Sequence, residues 1–197
     1  MTEAAPPLVA IGIPSGDMVH ADFAMHLATL CLNPGAHACI INAKSSLVMI
    51  GRNQIVEAAR VAKATHLLFL DSDLNFPADT LARLLAHDKD IVGGLYVQRV
   101  APHHPLGMTL DGKHEMVTSG LKQMKIMPTG CLLLRLAIFD KLPKPWFNTS
   151  VEGEKILGED FTFCTHAREA GFEIWCDGDL SRDITHIGQK AFGCVAH

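Results

Sequence analysis

The sequence predicts a single α/β domain built on a mostly parallel sheet that is flanked by helices, with a small antiparallel ribbon. Three observations lead to this fold class. Short apolar runs alternate with amphipathic stretches over residues 1–96, which is typical of strand–helix repeats in a parallel sheet. This rhythm stops over residues 97–127, where prolines, histidines and glycines separate short apolar pieces that favour an antiparallel ribbon. At 197 residues, the chain is long enough to bury a core without disulfides.

Each element of the first half follows from apolar periodicity and from the residues that interrupt it. Pro-Ser-Gly at 14–16 ends the first apolar run, and Asn-Pro-Gly at 33–35 closes the first strand–helix unit. Pro77 suits the first turn of a helix. The pattern predicts strands at 8–13, 38–41, 67–70 and 90–95, and helices through 23–30, 50–64 and 81–85.

The second half returns to core elements after the ribbon. An apolar run at 131–134 predicts a strand, apolar spacing over 161–170 predicts a helix, and residues 172–176 predict a last strand. Gly171 is placed to end that helix. No repeat, low-complexity tract or linker divides the sequence, so residues 1–197 are expected to form one domain.

Composition excludes several classes of function. The formal net charge of −4 and the lack of a lysine- or arginine-rich block argue against a nucleic-acid surface. No stretch approaches the ~20 apolar residues that cross a bilayer, and the first residues lack a signal pattern, so we expect a cytoplasmic protein without a transmembrane segment. The six cysteines are scattered without a Cys-x-x-Cys pair, which favours reduced core residues. The oligomeric state stays open.

The most informative local feature is the tripeptide Asp71-Ser72-Asp73, which follows the apolar run at 67–70. It places two carboxylates where a parallel sheet opens its ligand crevice. Such a pair suits a hard divalent cation, which can in turn hold the phosphates of a nucleotide. A loop that simply favours aspartate is the alternative interpretation.

Three further segments follow in order: Met-Pro-Thr-Gly-Cys-Leu-Leu at 127–133, Gly-Glu-Asp-Phe at 158–161 and Asp-Ile-Thr-His at 183–186. Together with residues 70–74, this order resembles the nucleotide-sugar glycosyltransferases of the GT-A (Rossmann-like) fold, in their inverting, family-2-like form. In chain order, the four segments are similar to that family's Asp-x-Asp motif, its glycine-marked strand beneath the sugar, its x-Glu-Asp motif and its C-terminal metal-binding histidine. The resemblance covers nearly the whole chain.

The resemblance implies a divalent cation that stabilises the departing diphosphate. Asp73 is the first expected ligand and His186 completes the set, and an imidazole ligand favours Mn²⁺ over Mg²⁺. Asp71 is expected on the ribose or on a metal-bound water, and it is kept as a further candidate ligand. For His186, an ordinary surface or core histidine is the alternative.

Asp160 is the candidate general base. It is expected to take the proton of the acceptor hydroxyl, so that this oxygen attacks the anomeric carbon opposite the leaving diphosphate. Glu159 is expected to support the acceptor or to cap the helix. Both acids also fit the positive end of a helix dipole, which by itself explains acids in a first turn.

The resemblance also implies where the donor and the acceptor bind. The expected donor contacts are Pro14, Ser15, Arg52, Asn53, Asp71, Ser72 and Gly130. Trp146 is a candidate sugar-stacking residue of the acceptor site, with a core anchor as the alternative. Residues 147–155 suit a lid that orders on donor binding. Residues 41–44 lack the acid with which many relatives read the base, so UDP- and GDP-sugars both remain candidate donors.

The expected function is transfer of a sugar from a nucleoside-diphosphate sugar to an acceptor hydroxyl. Residues 1–96 form the expected nucleotide-binding half, and residues 97–197 form the expected sugar- and acceptor-binding half. Two alternatives stay open, a sugar-phosphate nucleotidyltransferase and a non-catalytic nucleotide-sugar-binding domain. The sequence does not identify the acceptor.

Overall fold

A computed structural model describes residues 7–188. Its first half alternates strands and helices, as predicted: β1 Leu8–Ser15, α1 Ala21–Leu32, β2 His37–Lys44, α2 Val48–Val61, β3 His66–Leu70, β4 Leu74–Asn75, α3 Thr80–Ala86 and β5 Ile91–Gly93. Its second half is richer in strands: β6 Met108–Thr109, β7 Leu121–Ile126, β8 Cys131–Arg135, a 3-10 helix Leu136–Asp140, β9 Ser150–Glu152, β10 Lys155–Leu157, α4 Glu159–Glu169, β11 Ile174–Asp177, α5 Gly178–Ser181 and β12 Thr185–His186.

Eight strands form one mixed sheet in the order β2-β1-β3-β8-β5-β11-β7-β6. β1 pairs in parallel with β2 and β3, and β11 pairs in parallel with β5. β8 is antiparallel to β3 and β5, and β7 is antiparallel to β11 and β6. Only β8 and β7 therefore oppose the common direction, which agrees with the predicted mostly parallel α/β fold. The β6–β7 ribbon belongs to the main sheet rather than standing apart from it.

Apolar side chains cover both faces of the sheet. In β3, Leu67 and Phe69 belong to one hydrophobic cluster, whereas Leu68 and Leu70 belong to the other. Because side chains alternate along a strand, a strand that is covered on both faces needs an unbroken apolar run. This explains the run in the sequence and places Asp71 at the end of a rigid central strand.

Two helix boundaries differ from the sequence prediction and matter for the site. α2 begins at Val48 rather than at residue 50, and α4 begins at Glu159 rather than at residue 161. The second difference places Glu159 and Asp160 inside the first turn of α4. Gly171 follows α4 with a φ of +89°, so the prediction that glycine ends this helix is confirmed.

The segment expected to form a lid, residues 147–155, overlaps the β9–β10 hairpin, which continues to Leu157. Val151 within the segment and Ile156 just beyond it are exposed. Closure of this segment over a ligand stays a prediction. Within residues 7–188, no helix has the length and apolarity to span a membrane.

The cysteines agree in part with the prediction of core residues, since Cys31 and Cys39 are only partly buried. The five that the structure describes are free, and Cys131, Cys164 and Cys176 are buried. Burial raises the pKa of both Cys131 and Cys164 to about 12, which keeps these thiols protonated. Cys194 lies outside the described residues.

Candidate active site

A cleft of about 510 Å³ opens at the carboxyl ends of β1 and β3. Its walls come from the loop after β1, the start of α2 and the loop after β3. The residues that line it are Pro14, Ser15, Gly16, Ala43, Ser45, Ser46, Val48, Gly51, Asp71, Ser72, Asp73 and Arg99. The volume lies within the range of about 300–1,000 Å³ that is usual for small-molecule sites, and the position is where an α/β sheet binds ligands.

His186 reaches Asp73 from a remote part of the sequence. β12 pairs with β4 so that His186 lies opposite Leu74, and the backbone N–H of Ile187 donates to the carbonyl oxygen of Asp73 at 2.7 Å. As a result, Nε2 of His186 lies 3.4 Å from Oδ2 of Asp73. The structure thus brings together the two residues that the sequence assigned to one cation.

Hydrogen bonds and charges orient both members of this pair. Nδ1 of His186 lies 2.9 Å from the carbonyl oxygen of Val97, which can only accept, so Nδ1 carries the proton and donates. Burial lowers the pKa of His186, but the hydrogen bond with Asp73 raises it above its usual value. Burial raises the pKa of Asp73, but His186 and Arg99 bring it below its usual value. Asp73 is therefore a carboxylate at neutral pH.

Asp71 faces a different partner, the buried guanidinium of Arg52. Nη2 of Arg52 donates to Oδ1 and Oδ2 of Asp71 at 2.9 and 3.1 Å, and Nε donates to Oε1 of Glu159 at 3.5 Å. The Arg52 side chain is only 2% exposed. Burial lowers the pKa of Arg52, but the charges of Asp71 and Glu159 raise it above its usual value. Arg52 therefore ties the end of β3 to the start of α4.

Two of the expected donor contacts are used inside the protein instead. Pro14, Ser15, Asp71 and Ser72 line the cleft, but Arg52 and Asn53 do not. The Asn53 side chain donates to the carbonyl oxygen of Phe147 at 2.7 Å and accepts from its N–H at 3.3 Å. The expectation of direct donor contact is corrected for this pair because both side chains are engaged by protein groups.

The acceptor-site prediction for Trp146 is also corrected. Trp146 is only 3% exposed, and its Nε1 donates to the carbonyl oxygen of Phe139 at 3.1 Å. Its ring packs edge to face against Phe139, with centroids 5.2 Å apart. The core-anchor alternative describes this residue, because a buried ring has no free face for a sugar.

The backbone of Gly130 forms hydrogen bonds with both Asp71 and Tyr96. The N–H of Asp71 donates to the carbonyl oxygen of Gly130 at 2.8 Å, and the N–H of Gly130 donates to Oη of Tyr96 at 3.1 Å. A Cβ at position 130 would lie 2.5 Å from Oδ2 of Asp71 and closer still to Oη of Tyr96. The Tyr96 ring packs edge to face on His186, so this contact chain connects Asp71 with the Asp73–His186 pair.

We predict that Gly130→Ala displaces Asp71 or Tyr96 and lowers stability by roughly 1–3 kcal/mol, the usual cost of overpacking. Urea unfolding followed by circular dichroism measures this change. Gly16→Ala is the control, since Gly16 lines the cleft but a Cβ there meets no atom within 4 Å. Equal stability of the two variants would show that glycine at position 130 is not needed for the close approach of Asp71 and Tyr96 to this backbone.

Asp160 lies outside the cleft wall, beside Glu159. The N–H of Phe161 donates to Oδ1 of Asp160 at 2.7 Å, which satisfies one N-terminal amide of α4. Burial, and then the charge of Glu159, raise the pKa of Asp160 above its usual value. A raised pKa makes a carboxylate a better proton acceptor at neutral pH. The helix-dipole interpretation and the general-base interpretation are therefore both compatible with the geometry.

The metal-ligating side chains at the site fit a cation that binds together with a diphosphate. Within residues 7–188, no group of three or more His, Cys, Asp or Glu side chains is placed to hold a metal ion. Asp73 and His186 offer one oxygen and one nitrogen, while Asp71 is engaged by Arg52. Two protein ligands suit an ion whose other positions are filled by phosphate oxygens and water. Asp71 is the weaker candidate ligand, because Arg52 already pairs with its carboxylate.

Sequence reasoning did not select Tyr96, Ser45 or Ser46, which the structure places at the site, and it gave no committed role to Arg99. Each follows the carboxyl end of a strand, β2 for the two serines and β5 for the others. That position is the signal that could have identified them.

Comparisons with known proteins agree on the fold. No family model matches the chain, and no curated protein sequence matches it. The crystal structure of A197 from STIV matches with a TM-score of 0.63 at 13% sequence identity, over 97% of this chain and 99% of A197. GalNAc-T7, solved with UDP, GalNAc and Mn²⁺, matches with a TM-score of 0.55 at 11% identity, over 95% of this chain and 45% of that one. At these identities the likeness shows the fold alone, which is a distant GT-A-like fold.

Proposed function

We propose that this chain is an inverting, divalent-metal-dependent glycosyltransferase that moves a sugar from a nucleoside-diphosphate sugar to an acceptor hydroxyl. One observation carries the proposal. Asp73 and His186 converge within 3.4 Å beside a cleft at the strand ends, in a chain with a GT-A-like fold. The structure of GalNAc-T7 with UDP, GalNAc and Mn²⁺ supports the choice of a nucleotide and a divalent cation as ligands.

Charges in and around the cleft also support a cation together with an anionic ligand. Asp71, Asp73, Glu159 and Asp160 are four carboxylates. Among residues 7–188, the guanidinium groups of Arg52 and Arg99 and the imidazole of His186 lie against them. This imbalance favours an additional cation. A divalent cation there, Mn²⁺ or Mg²⁺, supplies positive charge to the oxygens of the leaving diphosphate when it is bound.

The start of α2 forms the opposite wall of the cleft and suits phosphate. Val48 and Gly51 of its first turn line the cleft, and that turn contains no acidic residue. The N-terminus of a helix carries a partial positive charge and free N–H groups, which favour an anion. We therefore assign the nucleotide to the half formed by residues 1–96 and the sugar and acceptor to residues 97–197.

Asp160 has the chemical role of general base in this proposal. Its carboxylate takes the proton of the acceptor hydroxyl while that oxygen forms a bond to the anomeric carbon. The bond between the anomeric carbon and the diphosphate oxygen breaks on the opposite side, so the configuration inverts and the diphosphate leaves with the electron pair. Glu159, held by Arg52, positions the first turn of α4.

Thermal unfolding with nucleotides tests the ligand class. We expect UDP or GDP to raise the melting temperature only in the presence of Mn²⁺, because a ligand that binds the folded form alone stabilises it. Asp73→Ala should abolish the Mn²⁺-dependent part of the shift. Asp17→Ala is the control, since Asp17 follows the neighbouring strand β1 and is 95% exposed.

The absence of any shift with either nucleotide in the parent protein would contradict the proposal. Pyrophosphate exchange with a nucleoside triphosphate would instead favour the nucleotidyltransferase alternative, and nucleotide binding without sugar release from any donor would favour a binding domain.

A further inference from the structure

Arg99 and His186 approach the same oxygen atom of Asp73. Nη1 of Arg99 lies 3.0 Å from Oδ2, and Nε2 of His186 lies 3.4 Å from it. A divalent cation shared by Asp73 and His186 needs ligand distances of about 2.0–2.2 Å. It would then lie within a few ångströms of the guanidinium, where two positive groups repel each other. Arg99 and the cation therefore compete for one carboxylate.

The ion pair between Arg99 and Asp73 breaks more easily than the ion pair between Arg52 and Asp71. The side chain of Arg99 is 49% exposed, whereas that of Arg52 is 2% exposed. Among the described residues, Asp73 is the only carboxylate within ion-pair distance of Arg99. Ion pairs of such exposure contribute little to stability, so the pair breaks at little cost.

A released Arg99 has an anionic ligand within reach under the proposed function. It lines the same cleft as Ser15 and Ser72, next to the place assigned to the diphosphate. The planar guanidinium pairs with phosphate oxygens through two parallel hydrogen bonds, which makes arginine well suited to that contact.

Resting on the proposed function, we infer that Arg99 exchanges partners. It pairs with Asp73 before the donor binds, and it pairs with the diphosphate when a divalent cation takes its place on Asp73. A cation that binds alone must displace Arg99 without a new contact for the guanidinium. A cation that binds with the nucleotide provides that contact, so Arg99 makes the two binding events favour each other.

Isothermal titration with Mn²⁺ alone, and with UDP or GDP in the presence of Mn²⁺, tests the exchange. We expect Arg99→Gln to bind Mn²⁺ alone about tenfold more tightly, within the usual range of coupling between two ligands. The same variant should bind the nucleotide about tenfold more weakly, since it loses a charge-assisted contact. Arg99→Lys keeps the charge without the planar fork, so it should bind Mn²⁺ alone as the parent does and the nucleotide more weakly.

Lys44→Gln is the matched control. It removes one positive charge near the cleft, from a residue that pairs with Asp17 at 3.7 Å and not with Asp73. We expect both affinities to stay at the parent values. Circular dichroism establishes that each variant is folded, which the exposure of Arg99 leads us to expect.

The outcomes separate this inference from the proposed function. One contrary result is that the parent protein binds nucleotide with Mn²⁺ while Arg99→Gln shows no higher affinity for Mn²⁺ in the absence of nucleotide. In that case Arg99 does not compete with the cation, and the exchange is wrong. Tighter Mn²⁺ binding with unchanged nucleotide affinity would likewise overturn it, because no phosphate contact is then lost. A parent protein that binds neither nucleotide with Mn²⁺ would overturn the proposed function itself.

Discussion

Asp160→Asn is expected to lower the turnover number for release of nucleoside diphosphate from the donor sugar by about 10²–10⁴-fold, the usual contribution of a general base. Water serves as the acceptor in this assay, so no acceptor needs to be known. Nucleotide affinity should not change, because Asp160 does not line the cleft. Asparagine also keeps the oxygen that accepts from the N–H of Phe161, so the local structure is conserved.

The competing interpretation of Asp160 is favourable interaction with the dipole of α4. A residue with only that role would contribute about 0.3–1 kcal/mol to stability and nothing to turnover. Asp22→Asn is the matched control, since Asp22 lies in the first turn of α1 and should change stability alone. Full activity of Asp160→Asn, with a small loss of stability like that of the control, would leave the dipole as the explanation.

Arg52→Met is expected to lower the free energy of unfolding by about 3–5 kcal/mol, the usual cost of removing one partner of a buried ion pair. The aliphatic part of the side chain is conserved, but Asp71 and Glu159 lose the guanidinium that pairs with them. Urea unfolding measures the change. Arg182→Met is the control, because that arginine is 58% exposed and pairs with an exposed carboxylate.

A second variant separates loss of the charge pair from loss of packing. Arg52→Met combined with Asp71→Asn no longer leaves the Asp71 charge unpaired, so it should be more stable than Arg52→Met alone. If Arg52→Met unfolds at the same urea concentration as Arg182→Met, the buried guanidinium does not hold β3 to α4 and our account of the site is wrong.

Local patterns were enough to predict much of the fold. The unbroken apolar run before Asp71 predicted a strand, which the structure covers on both faces, and Gly171 predicted the end of α4. Both predictions follow from a few neighbouring residues. The alternation of strands and helices up to β5 follows from apolar periodicity in the same way. The order of β8 between β3 and β5 has no such signal, because pairing partners are remote along the chain.

The candidate site shows the same contrast between local sequence patterns and contacts between remote segments. Resemblance in motif order selected Asp73 and His186, and their approach depends on β4 and β12, which are two residues each and too short to leave a periodic pattern. Resemblance selected Arg52, and the aromatic side chain selected Trp146, as ligand contacts, and both side chains are buried. A residue type alone does not tell whether it faces a ligand or the interior.

The α/β class, the central strand and the acids at its end can be predicted from the amino-acid sequence, because these depend on side-chain periodicity and on residues that are adjacent in the chain. The pairing of Asp71 with Arg52, and of Asp73 with both His186 and Arg99, follows only from the three-dimensional structure. An ion pair depends on the direction and distance of side chains, and these are set when remote segments pack together.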